Sequence, residues 1–140
     1  MHRTQWAAQF AVASELCKKG YEVAFTMGNH PSVDLLAISP GGTAFTVDVK
    51  GLYKKNWWAV KSKPDKVDLF YIFAFVPDYE SNRFFILDQT QVNSEIEAEF
   101  ERARLRARAK GRGEEKVEAF PGVGWKFAEQ FENAWGRLPP

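Results

Sequence analysis

Two β-branched, apolar-rich runs separated by a glycine turn restrict this chain more than any other feature. Val33-Asp34-Leu35-Leu36-Ala37-Ile38-Ser39 and Thr43-Ala44-Phe45-Thr46-Val47-Asp48-Val49-Lys50 flank Pro40-Gly41-Gly42, a pattern that specifies a β-hairpin. With that loop, Ser39 opposes Thr43, and counting outward sets Asp34 opposite Asp48. Directly opposed side chains lie about 4.5–5.5 Å apart at Cβ, where like charges repel. Lys50 is two residues beyond Asp48 and points to the same face. Facing carboxylates in mid-strand are costly unless a positive group sits between them, and a divalent cation held by oxygen ligands is the obvious one. The hairpin is therefore expected to carry a metal-dependent catalytic site, with the two carboxylates repelling in the metal-free protein.

The rest of the chain reads as alternating elements. Thr4 is a suitable N-cap for a helix from Gln5 to Lys19, with Trp6, Phe10, Ala13 and Cys17 at helical spacing and Gly20 as the stop. Strands are expected over Tyr21–Met27, Val33–Ser39 and Ala44–Leu52, then a charged, tryptophan-bearing loop from Lys54 to Lys66. Two further strands, Leu69–Val76 and Arg83–Leu87, are joined by the turn signal at residues 77–82. Ser94 and Glu97 match a capping box for a helix running from Asn93 or Ser94 towards Ala109. A last helix is expected from Trp125 to Trp135, stopped by Gly136. No internal repeat or linker divides residues 1–140, so the expectation is one α/β domain with a mixed central sheet flanked by helices.

The order helix, strand, Asp, hairpin, Asp-x-Lys resembles the PD-(D/E)XK nuclease superfamily, which includes restriction endonucleases and Holliday-junction resolvases. Asp34 matches the first motif aspartate and Asp48-Val49-Lys50 the second half. The opening is also similar: a helix ending at Lys18-Lys19-Gly20, a strand over residues 21–25, then the aspartate. Where many members carry a glutamate on that helix, this chain holds Gln9, which can still accept a hydrogen bond from a water in a metal's shell. The resemblance implies a restriction-endonuclease-like core of α-β-β-β-α-β order and a DNA endonuclease. It implies Mg²⁺, with Mn²⁺ as a substitute, held by Asp34, Asp48 and the Val49 carbonyl. Lys50 would position or deprotonate the attacking water, or stabilise the charge developing on phosphorus. Gln9 would act behind the metal or through a water. An inactive nuclease fold that binds DNA is the alternative, and a plain α/β interaction module in which Asp48 pairs with Lys50 is a third.

Charge and composition fix what surrounds that site. A net charge of +1 announces no nucleic-acid binder as a whole, but Lys54, Lys55, Lys61, Lys63 and Lys66 crowd the segment after the motif. Lys54, Lys55, Trp57 and Lys61 are the expected DNA contacts, since phosphate contacts supply most non-specific affinity and an aromatic ring can stack on a base. Packing over the sheet is the competing reading for Trp57 and Trp58. Arg102, Arg104, Arg106, Arg108, Lys110 and Arg112 read as a solvated helix face. Phe70, Tyr71, Phe73, Phe75, Phe84 and Phe85 read as sheet core, and Cys17 as a packed thiol. A lone cysteine excludes an internal disulfide and fits a reducing compartment, and with His30 in a solvated turn a zinc site has too few ligands. No run approaches the length of a bilayer span and Met1 to Gln5 offers no signal-peptide block, so a cytoplasmic protein is expected. A chain of this size has little room for sequence-reading elements, which favours a homodimer that cuts both strands.

Overall fold

A computed structural model of the protein describes residues 2–29, 33–111, 113 and 121–140. His30 and Arg112, named above, lie outside the described residues. Helix α1 spans His2–Lys18 and starts before the expected Thr4 cap. Gly20, at φ +88°, ends it: its N–H donates to Cys17 O, and Tyr21 N–H reaches back to Leu16 O, both at 3.0 Å. This is the Schellman arrangement, which needs a left-handed residue that glycine adopts without a Cβ clash.

The buried face of α1 is Ala8, Gln9, Val12, Ala13 and Leu16, so only Ala13 of the expected stripe is core. Trp6, Phe10 and Cys17 are exposed, which corrects the reading of Cys17 as a packed thiol. The reason is proximity. A Cβ on Gly51 would meet Ala8 Cβ at 2.6 Å and Thr4 O at 3.1 Å, so α1 rides too close to the sheet for large side chains there. The displaced aromatics stack on each other instead, Trp6 on Phe10 and Phe10 against Phe25.

Strands β1 (Glu22–Phe25), β2 (Leu35–Ile38), β3 (Ala44–Leu52), β5 (Leu69–Phe75) and β6 (Arg83–Asp88) form one sheet in the order β1-β2-β3-β5-β6. Only β3 and β5 run parallel. Short strand β4 (Trp58–Ala59) lies within the expected charged loop and pairs with β7 (Gly122–Val123). The crossover from β3 to β5 contains no helix, so the α-β-β-β-α-β order is not followed there; the mixed α/β sheet is. The hairpin register is the expected one, with Ile38 opposite Ala44 and Ser39 N–H donating to Thr43 O at 2.8 Å.

Helix α2 runs Gln89–Ala109, capped by Asp88, whose carboxylate accepts from Gln91 N–H while Gln91 returns a bond to Asp88 N–H. The capping box thus sits at the end of β6, ahead of Ser94 and Glu97, because the strand passes straight into the helix. The expected last helix is only α3 (Trp125–Ala128) followed by two 3₁₀ turns. Asn133, at φ +54°, breaks it.

One face of the sheet packs Val47, Val49, Ile72 and Ile86 under α1 and Leu138. The other packs Tyr71, Phe73, Phe85 and Trp58 under α2, β7 and α3. The expected aromatic core holds, with Phe70 half-buried. On this second face Leu36 and Ile38 remain exposed, so the cover stops beside β3, at Asp48.

Candidate active site

β3 outruns its partner. The ladder with β2 ends at Leu35 and Val47, leaving the edge from Asp48 to Leu52 without a strand neighbour on that side. Backbone groups there need partners, and side chains supply them. Asp34, the first residue beyond β2, accepts from Val49 N–H through Oδ2 at 2.7 Å. Gln5 of α1 donates from Nε2 to Val49 O at 2.7 Å and accepts from Gly51 N–H at 3.2 Å. One turn on, Gln9 donates to Asp34 Oδ1 at 3.3 Å.

Asp48 lies on the face where the cover stops, buried to 1% exposure. Lys50 Nζ is 3.1 Å from its Oδ1 and Lys63 Nζ is 2.5 Å from its Oδ2. The Lys50 contact is an ion pair without hydrogen-bond geometry, so Oδ1 is a buried acceptor with no donor. Beside it, Tyr71 is level with Asp48 in the β3–β5 register, its buried hydroxyl has no partner, and Lys63 lies over its ring at 5.3 Å. Burial, and then the Asp48 charge, push the Tyr71 hydroxyl pKa up. Burial also pushes the Asp34 carboxyl up; the Val49 N–H opposes this, the Asp48 charge adds to it, and Lys50 and Lys63 draw it back. The two aspartates therefore repel, as facing carboxylates should. Asp48 itself, however, is neutralised by two ammonium groups, which corrects the expectation of an uncompensated pair.

The donor set suits a small hard cation. Two carboxylates and a carbonyl are oxygen ligands of the kind Mg²⁺ takes, with waters and substrate phosphate completing its shell. Oδ1 of Asp48 accepts no hydrogen bond and faces the Lys50 ammonium at 3.1 Å, so a metal cation there would compete with that ion pair. No group of three or more His, Cys, Asp or Glu that could hold a metal occurs among the described residues. Val49 O already accepts from Gln5, but a carbonyl has a second lone pair.

Of the expected DNA contacts, Lys54, Lys55 and Lys61 are exposed, with Lys55 over the Trp125 ring at 5.5 Å. Trp57 packs against β7: a Cβ on Gly122 would come within 1.8 Å of its Nε1. The arginine-rich face of α2 is paired with acids, Arg102 with Glu95 and Glu99, Arg104 with Glu101, Arg106 with Glu99, as a solvated helix should be. Lys63, Gln5 and Tyr71 were not singled out by sequence. Gln5 had a signal, since Gln5 and Gln9 are four apart on one helix face; Lys63 was one lysine among several. No helix among the described residues is long and apolar enough to cross a membrane.

Comparison with protein-family models, with curated proteins and with solved structures finds no match.

Proposed function

We propose that this chain is a divalent-metal-dependent endonuclease of the PD-(D/E)XK kind, with a restriction-endonuclease-like core, that hydrolyses phosphodiester bonds in DNA. The observation that carries the reading is the buried Asp48, with a donorless Oδ1, set between Lys50 and the Asp34–Val49 hydrogen bond at an open strand edge. Asp34, Asp48 and Val49 O would hold Mg²⁺ or Mn²⁺. Such an ion, when bound, lowers the pKa of water and polarises a phosphate. Gln5 fixes the Val49 carbonyl and Gln9 fixes Asp34, so the donors are held by groups that are themselves hydrogen-bonded. Lys50 orients the attacking water or offsets the charge that builds on phosphorus. In the reaction, the water oxygen bonds to phosphorus and the bond from phosphorus to the leaving sugar oxygen breaks. The water's proton passes to solvent, Lys50 being an ammonium paired with Asp48, and the leaving oxygen takes one from water. Lys54, Lys55 and Lys61 would follow the DNA backbone, and a homodimer would cut both strands.

Supercoiled plasmid and branched DNA, incubated with Mg²⁺ and with chelator, test this reading. Metal-dependent cutting that is lost in Asp48→Ala and in Lys50→Ala is the expected result. The second reading, a nuclease fold that binds DNA without cutting it, is favoured by Gln9 in place of an acid; the pairing of Asp48 with Lys50 is the feature expected of a plain α/β interaction module. DNA binding with no cleavage under any metal would select it.

A further inference from the structure

We infer that Lys63 is a second catalytic lysine, one that contacts the scissile phosphate, and that Asn93 and Gln89 of α2 are its positioning residues. The inference rests on the nuclease reading above. A single buried carboxylate is neutralised by one ammonium, and Lys50 already stands 3.1 Å from Asp48. The second ammonium, Lys63 at 2.5 Å from Asp48, also draws on Asp34, so the two lysines balance the two carboxylates. Asp34 and Asp48 carry two negative charges against the two lysines, so a bound divalent cation would leave the centre net positive. A phosphodiester, whose negative charge grows during attack, is what such a centre stabilises.

The placement of Lys63 is built, not incidental. Its backbone N–H donates to Asn93 Oδ1 at 3.4 Å and its carbonyl accepts from Asn93 Nδ2 at 2.9 Å. Gln89, itself buried, donates to the carbonyls of Lys63 and Pro64 and accepts from Lys66 N–H. Two side-chain amides on one helix thus fix the main chain on both sides of the lysine. Exposed Lys54 and Lys61 have no such support among the described residues. The main chain that carries Lys63 is therefore held beside Asp48 and does not move with a loose loop.

The test is single-turnover cleavage of plasmid with Mg²⁺, paired with DNA affinity in Ca²⁺ and with the rise in melting temperature given by Mn²⁺. Lys63→Ala and Lys63→Gln are expected to cut about 100-fold slower or worse, the usual loss for one group that stabilises transition-state charge, while keeping the Mn²⁺ response. Asn93→Ala is expected to lose about tenfold, because its lysine remains but is poorly held. Cys17 is exposed and remote, so a Cys17→Ser background should cut as wild type. In it, Lys63→Cys alkylated with 2-bromoethylamine regains an ammonium and should recover at least tenfold in rate. If Lys63→Ala does not fold, the Gln variant and the alkylation rescue decide. Wild-type cutting with undiminished rates in the Lys63 variants, or no recovery on alkylation, overturns the Lys63 assignment alone. A wild type that neither cuts nor responds to Mn²⁺ overturns the nuclease reading and this inference with it.

Discussion

Replacing each site aspartate by asparagine should move stability in opposite directions in the metal-free protein. Asp48 is 1% exposed and holds ammonium groups at 3.1 and 2.5 Å. Asp48→Asn leaves both cations facing a neutral amide, and removing one partner of a buried ion pair typically costs about 3–5 kcal/mol. The lysine side chains keep 32% and 22% of their exposure, so they can turn towards water, and the cost falls to about 2 kcal/mol. For 140 residues, an unfolding entropy of about 2.1 cal/mol/K per residue makes that a drop of about 7 °C in Tm. Asp34 differs, because its ionised form is opposed by burial and by Asp48. Asp34→Asn removes that opposed charge and keeps an oxygen for the Val49 N–H, so its Tm in chelator should equal or exceed wild type. The sign with pH follows. A raised pKa means the folded state binds the proton more tightly, so the stability Asp34 contributes is full below the ordinary carboxylate pKa. It is lost as pH rises through the raised value. The Asp34→Asn advantage should therefore grow with pH across that window. Mn²⁺ at a hundredfold excess over its Kd should add about 2.7 kcal/mol to wild type, and much less to either variant. Differential scanning fluorimetry in chelator and in Mn²⁺ reads all of this. Asp48→Asn melting with wild type in chelator, or Asp34→Asn falling as far as Asp48→Asn, would refute the charge assignment.

Neutralising Lys54, Lys55 and Lys61 together should flatten the dependence of log DNA affinity on log salt by about 0.9 per lost phosphate contact. Arg104→Ala, whose guanidinium already holds Glu101 at 2.7 Å, should leave it unchanged; filter binding over a salt series measures both. Gly51→Ala should cost about 1–3 kcal/mol, because its Cβ would collide with Ala8. It should also blunt the Mn²⁺ response by shifting Gln5 and Gln9, with both effects eased by Ala8→Gly in the same melting assay. Asp88→Ala should cost about 1 kcal/mol through the lost N-cap, visible as a lower midpoint in urea.

The elements whose signals are local were legible. The hairpin register followed from Pro40-Gly41-Gly42, because turn length fixes pairing and pairing fixes which side chains face each other. Gly20 marked the end of α1 because only a residue free of a Cβ adopts φ +88° cheaply. The buried face of α1 was not legible. Periodicity favours the largest apolar side chains, whereas the contact between Gly51 and Ala8 selects the smallest, and that contact joins residues 43 positions apart. The start of α2 failed for a different reason: Asp88–Gln91 and Ser94–Glu97 both satisfy a capping pattern, and only the end of β6 decides between them.

At the site, strand alternation placed Asp48 beside Lys50, while Gln5, Lys63 and Asn93 were silent. Their work is defined by backbone groups that fold-level geometry leaves without partners. Gln5 answers Val49 O and Gly51 N–H where β2 stops short. Asn93 does the same for both backbone groups of Lys63 in a crossover that has no helix of its own. A side-chain amide carries one acceptor and two donors, so it can stand in for a peptide of a neighbouring strand. Neither residue touches the reacting groups in the reading proposed above, yet each sets the position of one that does. Such a glutamine or asparagine becomes recognisable only once the strand it replaces is known to be missing. In this chain that knowledge depends on where β2 begins, at Leu35, one residue after the aspartate that bonds the edge of β3.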